Sequence, residues 1–169
     1  LLSNIQEVQK LGLRITNVDR DAALPDMRRA ARTHLLPYLG SDVLEALQGQ
    51  YDGTSTHAAK WANLLPYAQK ALAAFAYYDE LPHLHTQISD AGVRRTTTDN
   101  MPAAFRWEYE EARNSLLERA YADLEELMQY LEENSDEYTE WTGSKGYQRR
   151  KAVLLKSGTE LARYYHVQQ

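Results

Sequence analysis

The chain has 169 residues, 43% hydrophobic and 25% charged, with a formal net charge of −5, the balance of an ordinary globular protein that can bury one core. The absence of cysteine removes disulfides, thiolate metal sites and cysteine nucleophiles together. A sequence pI near 5.5 argues against a dedicated nucleic-acid binder, whose domain is usually basic, and no apolar run approaches the ~20 residues of a membrane span.

The start of the chain has no basic-then-apolar run of the signal-peptide kind. Ser3 caps an expected short helix over Asn4–Lys10, ended by Gly12. Leu13–Val18 then alternates as an extended stretch, so residues 1–18 read as an N-terminal arm. Asp19 or Asp21 opens the next helix, with Pro25 in its first turn and Leu24, Met27, Ala31 and Leu35 at helical spacing. Pro37 and Gly40 mark its end. Ser41 is the expected cap of a short helix over Asp42–Gln48, with Val43, Leu44 and Leu47 inward. Residues Gly49–Ser55 are a turn-rich loop.

A third helix is expected over His57–Tyr78, with Trp61, Leu64, Leu65, Ala68, Ala71, Leu72 and Phe75 inward and a kink or restart at Pro66. Leu81–Asn100 breaks the helical pattern. Within it, Thr86–Ile88 and Val93–Thr97 are β-prone runs around Asp90-Ala91-Gly92 and predict a small hairpin over about 86–97.

Asp99 or Asn100 caps the most conspicuous element, a helix over about 103–133. Its inward positions are Phe105, Tyr109, Ala112, Leu116, Ala120, Leu124, Leu127 and Leu131, spaced by threes and fours without Gly or Pro. At ~1.5 Å per residue this is a rod of about 45 Å. Tyr138, Trp141 and Tyr147 lie in a short connector, and a closing basic helix is expected over about 148–165. Its burial candidates are Ala152, Val153, Leu155, Leu161, Tyr164 and Val167. The whole reads as one all-α domain, 1–169. It is a bundle of four to five helices around the long one, with the hairpin beside it.

Charge is unevenly distributed. Residues 101–137 hold eleven acidic residues against three arginines, and residues 145–163 hold six basic residues against one glutamate. Opposite-signed segments suit packing within the molecule or contact between copies. Tyr77, Tyr78, Tyr164, Tyr165 and Trp141 fall at predicted helix ends, where aromatic rings either border the core or serve an interface.

Chemistry has few candidates. His83 and His85 in PHLHT have Asp79 or Glu80 as nearest further ligands, too few for a metal site, and read as loop histidines. The carboxylates of the long helix lack the inward Glu-x-x-His pairs of a di-iron bundle. No phosphate loop, nucleophile elbow or zincin motif occurs. Neither a metal nor a cofactor is implied, and the sequence does not read as an enzyme. Arg29 and His34, five apart in RAARTH, are similar to the Arg-x4-His pattern of the HEPN ribonucleases, the alternative enzymatic reading. Tyr147 with Arg149, Arg150, Lys151 and Lys156 forms a basic patch suited to an acidic protein surface, such as another copy's long helix, better than to DNA.

The order of parts carries a resemblance. LLPYLGSDVLEAL follows an N-terminal helix. An Ala-rich helix (LLPYAQKALAAFAYY), a turn-rich ISDAGVRR, the long helix from MPAAFRWEYEEAR and a basic close complete it. The chain resembles the all-helical head–tail connector, or adaptor, proteins of tailed bacteriophages and prophages. The resemblance implies a virion neck protein, assembled in the host bacterial cytoplasm. It implies a closed ring of about a dozen copies beneath the portal protein, joined to a tail or stopper protein. DNA would pass through without specific binding, and no membrane is involved. Ala103–Glu133 would form the ring wall, with the hairpin Thr86–Thr97 and the end Lys145–Gln169 as gripping elements. The expected interaction residues are Arg94, Arg95, Trp141, Tyr147, Arg149, Arg150, Lys151, Tyr164 and Tyr165. A bacterial helical protein-interaction module of another role is the other non-enzymatic alternative.

Overall fold

Two long antiparallel helices carry the fold of the residues that the computed structural model describes, 27–54, 59–89, 92–95 and 106–153. The expected N-terminal arm, the Asn4–Lys10 helix, the caps at Asp99 or Asn100, and everything from 154 onward lie outside the described residues, as does the inward position Phe105. The described residues are mostly helical, and no described helix is long and apolar enough to cross a membrane.

Helix α1 (Met27–Ala30) runs through a π turn (Ala31–Leu35) directly into α2 (Leu36–Leu39). The Leu36 N–H donates to the Ala31 carbonyl, five residues back. Pro37 has no N–H, and its ring would crowd the Thr33 carbonyl in a regular helix, so one widened turn relieves the conflict. The helix therefore passes Pro37 and stops at Gly40, whose φ of +85° suits glycine alone. Ser41 is not the cap expected of it. Gly40 occupies that position, and the Ser41 hydroxyl donates to the neighbouring Asp42 carboxylate at 2.9 Å. From there α3 (Ser41–Tyr51) buries Val43 and Leu47.

Helix α4 (Ala59–His85) corrects two expectations. It does not restart at Pro66 or end at Tyr78, but runs through both Pro66 and Pro82. Pro66 is exposed, and the one missing hydrogen bond is outweighed by Trp61, Leu64, Ala68, Ala71, Leu72 and Phe75, all buried. At ~1.5–3 kcal/mol for each large apolar side chain buried, they exceed the ~3 kcal/mol that an interior proline costs. His83 and His85 thus lie in the last turn of a helix, where a spacing of two does not bring positions to one face. Next, β1 (Thr86–Ser89) and β2 (Gly92–Arg95) pair antiparallel, with Thr86 opposite Arg95 and Ser89 opposite Gly92.

Helix α5 (Arg106–Glu133) is continuous over its 28 residues. Its contacts with α4 fix the antiparallel arrangement: Tyr67 stacks on Tyr130, Lys70 pairs with Asp123, the Phe75 ring meets Tyr121 edge-on, and Arg113 lies over Tyr78. Ala120, Leu124, Leu127 and Leu131 are buried as the spacing predicts. Ala112 is exposed, Tyr109 and Leu116 are half-buried, and Met128 is buried. The core therefore begins at Ala120, and none of residues 107–119 is buried.

The connector after α5 is more structured than its sequence suggests. It holds the helical turn α6 (Thr139–Thr142), and α7 begins at 145 and is described to 153. Tyr138 and Trp141 are both fully buried. The Tyr138 hydroxyl donates to the Lys60 carbonyl at 2.7 Å, and the Trp141 indole N–H donates to the Tyr38 carbonyl at 3.2 Å. These two rings bolt the far end of α5 to α2 and α4. In contrast, Ala152 and Val153, expected to be buried, are exposed, Val153 by 66%.

Candidate functional site

The α4–α5 pair is half core and half arm. Buried positions on α4 stop at Ala76 and those on α5 start at Ala120. Beyond them the two helices continue to His85 and from Arg106, leaving the bundle side by side. A shallow cleft of about 330 Å³ on this arm is lined by Tyr77, Leu81, Ala112, Ser115, Leu116 and Arg119.

One stripe of α5 runs the length of both halves. Trp107, Glu111, Asn114, Glu118, Tyr121 and Glu125 are spaced alternately by four and three, and Glu132 follows seven residues on. That period keeps them on one line of the helix. In the lower half the stripe is occupied. Arg150 of α7 donates from both terminal nitrogens to Glu125, at 2.9 and 2.5 Å, and from Nε to Glu132. The forked guanidinium matches two carboxylates one helical repeat apart. Hydrogen bonding to Glu125 and then Glu132 holds the arginine charged well above its usual range, and Arg150 in turn holds the Glu125 carboxyl below its own.

In the upper half the same stripe is open. Trp107 is 62% and Tyr121 51% exposed, and Glu111, Asn114 and Glu118 between them are exposed. Lys70 uses a different flank of α5. It lies 3.1 Å from Asp123, which is buried, and 2.5 Å from Glu126. Those hydrogen bonds, Glu126 first, raise the lysine above its usual range.

These contacts sort the expected interaction residues. Trp141 is corrected outright: it is a core residue, fully buried. Arg150 has its donors engaged within the chain, on Glu125 and Glu132. Tyr147 is half-buried, its ring edge-on to Trp141 at 4.9 Å. Arg149 and Lys151 are exposed, Lys151 lying 5.9 Å above the Tyr147 ring. Arg94 and Arg95 are in β2, opposite Gln87 and Thr86. Tyr164 and Tyr165 lie outside the described residues.

Arg29 and His34, the ribonuclease pair, meet different surroundings. His34 stacks flat on Phe75, ring centres 4.3 Å apart, and its Nε2 is 3.1 Å from both carboxylate oxygens of Asp79. Its ring thus joins the π turn to α4, while Arg29 is exposed on α1. Among the described residues, no group of three or more His, Asp or Glu is placed to hold a metal ion.

A second basic feature lay unread in the sequence. The described stretch 27–39 contains Arg28, Arg29 and Arg32 and no acidic residue, and Arg28, Arg32 and Leu36, four apart, are all exposed. The signal was available in the spacing, as was the alternation that starts at Trp107.

The molecule is thus a helical protein whose surface features are charged and aromatic helix faces. The chain belongs to the family of unknown function DUF6712, whose model matches residues 35–151. That span takes in the core apart from Ala30 and Ala31, the α4–α5 arm and the Arg150 clamp. No curated protein and no solved structure matches the chain.

Proposed function

We propose that this chain is a non-enzymatic structural subunit of a tailed-phage or prophage head–tail connector. In this reading it is a bundle of four to five helices around α5. The hairpin near 86–97 and the basic C-terminal segment project to neighbours. Copies of the chain form or join a ring beneath the portal protein, next to a tail or stopper protein, in the neck of the virion. DNA crosses the ring without specific binding.

The observation that carries this reading is the divided α4–α5 pair. Its lower half closes a core sufficient for one domain, while its upper half extends past that core and keeps Trp107 and Tyr121 exposed on an acidic helix. Large exposed aromatics on a projecting helix mark a surface made for another protein. The family-like order of parts in the sequence supports the same conclusion. Acidic walls suit a DNA conduit because like charge prevents adhesion.

The experiment is a mass measurement of the purified chain alone and mixed with the portal protein encoded beside it. A discrete ring-sized complex supports the reading. A chain with no portal, capsid or terminase gene beside it, and no change in mass on mixing with portal proteins, rejects it in favour of a helical interaction module of another role.

A further inference from the structure

We infer that the upper stripe of α5 is an interface for a second copy of this chain, and that the surface it receives is the arginine ridge of α1 and α2. This rests on the self-assembly proposed above and names its contact.

The argument begins from what the lower stripe already does. Glu125 and Glu132 hold an arginine from a helix laid along α5. The next positions up the same line, Tyr121, Glu118, Asn114, Glu111 and Trp107, repeat that chemistry and add an aromatic ring at either end. The arginine of α7 that engages the stripe stops at Glu125, and Trp107, Glu111, Asn114, Glu118 and Tyr121 above it are exposed. The stripe therefore continues an existing acidic helix-docking surface into a region that stays open.

The complementary surface must be a helix face with basic residues at helical spacing and an apolar contact for the rings. Arg28, Arg32 and Leu36 supply it, each exposed, on a stretch with no carboxylate of its own. Two arginines four apart face two glutamates seven apart along crossed or antiparallel helices, while Leu36 offers apolar area to Tyr121 or Trp107. Arginine over an aromatic face adds attraction of the kind already seen between Arg113 and Tyr78.

Within one chain the stretch that carries the ridge is fixed in place, with its arginines exposed on its outer side. The buried side of the same stretch, Ala30, Ala31, Leu35 and Leu39, packs into the core, and His34 anchors it to Asp79 on α4. Stripe and ridge are different patches, so two copies can pair them either reciprocally or head-to-tail, and the ring proposed above takes the head-to-tail form. Head-to-tail pairing closes as a ring where the rotation between successive copies allows it, and otherwise gives an open filament.

The test is charge reversal and recombination in the full chain, read by sedimentation over a range of concentrations. The variants are Glu111→Lys with Glu118→Lys, Arg28→Glu with Arg32→Glu, and all four together. Either reversal alone should weaken self-association at least about tenfold, and the combined variant should recover most of it. Thermal melts check that each variant folds. Trp107→Ser, at an exposed ring, probes the stripe without altering charge and should weaken association as well.

An oligomer indifferent to every variant overturns the pairing and leaves self-assembly standing. An oligomer weakened by the α5 changes but not by the α1 changes also overturns it, and shows that another segment, such as residues 154–169, covers the stripe. A chain that is monomeric at every soluble concentration, alone and with portal protein present, overturns both the pairing and the reading beneath it.

Discussion

Gly146 rests against the Tyr38 backbone so closely that an added Cβ would lie 2.6 Å from the Tyr38 carbonyl carbon and nearer still to its oxygen. This is where α7 meets α2, and the same carbonyl accepts the Trp141 indole N–H. Glycine is required here by contact rather than by φ. Gly146→Ala must push α7 away or shift α2, at a cost of about 1–3 kcal/mol. Gly143→Ala is the control, since a Cβ there makes only an ordinary 3.6 Å contact with the Thr139 carbonyl. The expected outcome is a clear fall in denaturant midpoint for the first and little change for the second.

The Arg150 clamp gives stability a dependence on acid. Arg150 depresses the Glu125 carboxyl below its usual value of 4.5, so the folded state favours the charged form. A depressed acid adds stability that is present above its unfolded value and is lost as pH falls through the folded one. The wild type should therefore lose this increment below about pH 4.5. Arg150→Ala should lower stability at neutral pH by about 1 kcal/mol, a modest figure because Glu125 is half exposed. As pH falls from 4.5 through the lower folded-state value, the two melting curves should converge. Equal spacing of the curves across the whole pH range would show that the clamp is not ionic.

Residue patterns made some of this legible and hid the rest for identifiable reasons. Helix α5 is plain in the sequence because Leu116 to Leu131 recur by threes and fours with no breaker. Burial along it was less legible, because the pattern does not say where a helix leaves its bundle: Ala112 has helical spacing and is exposed. Pro66 and Pro37 suggested ends that tertiary packing and one π turn override. Trp141 has no periodic neighbours, so its place in the core depends on a chain reversal that only coordinates reveal. The acidic and basic segments were visible as charge, yet geometry alone shows that Arg150 is engaged within the chain while Glu111 and Glu118 stay exposed.

Tyr138 tests how far the connector holds the bundle shut. It is fully exposed to no solvent, its hydroxyl bonds to the Lys60 carbonyl, and its ring meets Trp61 and Tyr130 edge-on. Burial is the main cause that pushes its phenol well above the usual 10.0. A raised acid favours the neutral form in the fold, so this stability is fully present below pH 10 and declines above it. Tyr138→Phe keeps the packing but leaves the carbonyl without its donor, a cost of about 1–2 kcal/mol. Tyr138→Ala adds a cavity and should cost about 3–5 kcal/mol. In an alkaline spectrophotometric titration, Tyr138 and Tyr77, whose phenol burial also raises, should both be withheld from ionising near pH 10 in the folded wild type but not in the unfolded chain.

His34 separates the structural reading from the ribonuclease one. If its work is to bridge the π turn and α4, the ring face on Phe75 and the bond to Asp79 contribute separately. His34→Phe preserves a stack and loses the bond, so it should cost about 1 kcal/mol. His34→Ala loses both and should cost about 2–3 kcal/mol. Asp79→Asn should resemble the milder change, because an amide oxygen can still accept from the ring. None of the three should alter RNA cleavage, which is expected to be nil in the wild type as well. Cleavage by the wild type that vanishes with His34→Phe and with Arg29→Ala, while both variants stay folded, would place chemistry at the π turn and displace the assembly role proposed above.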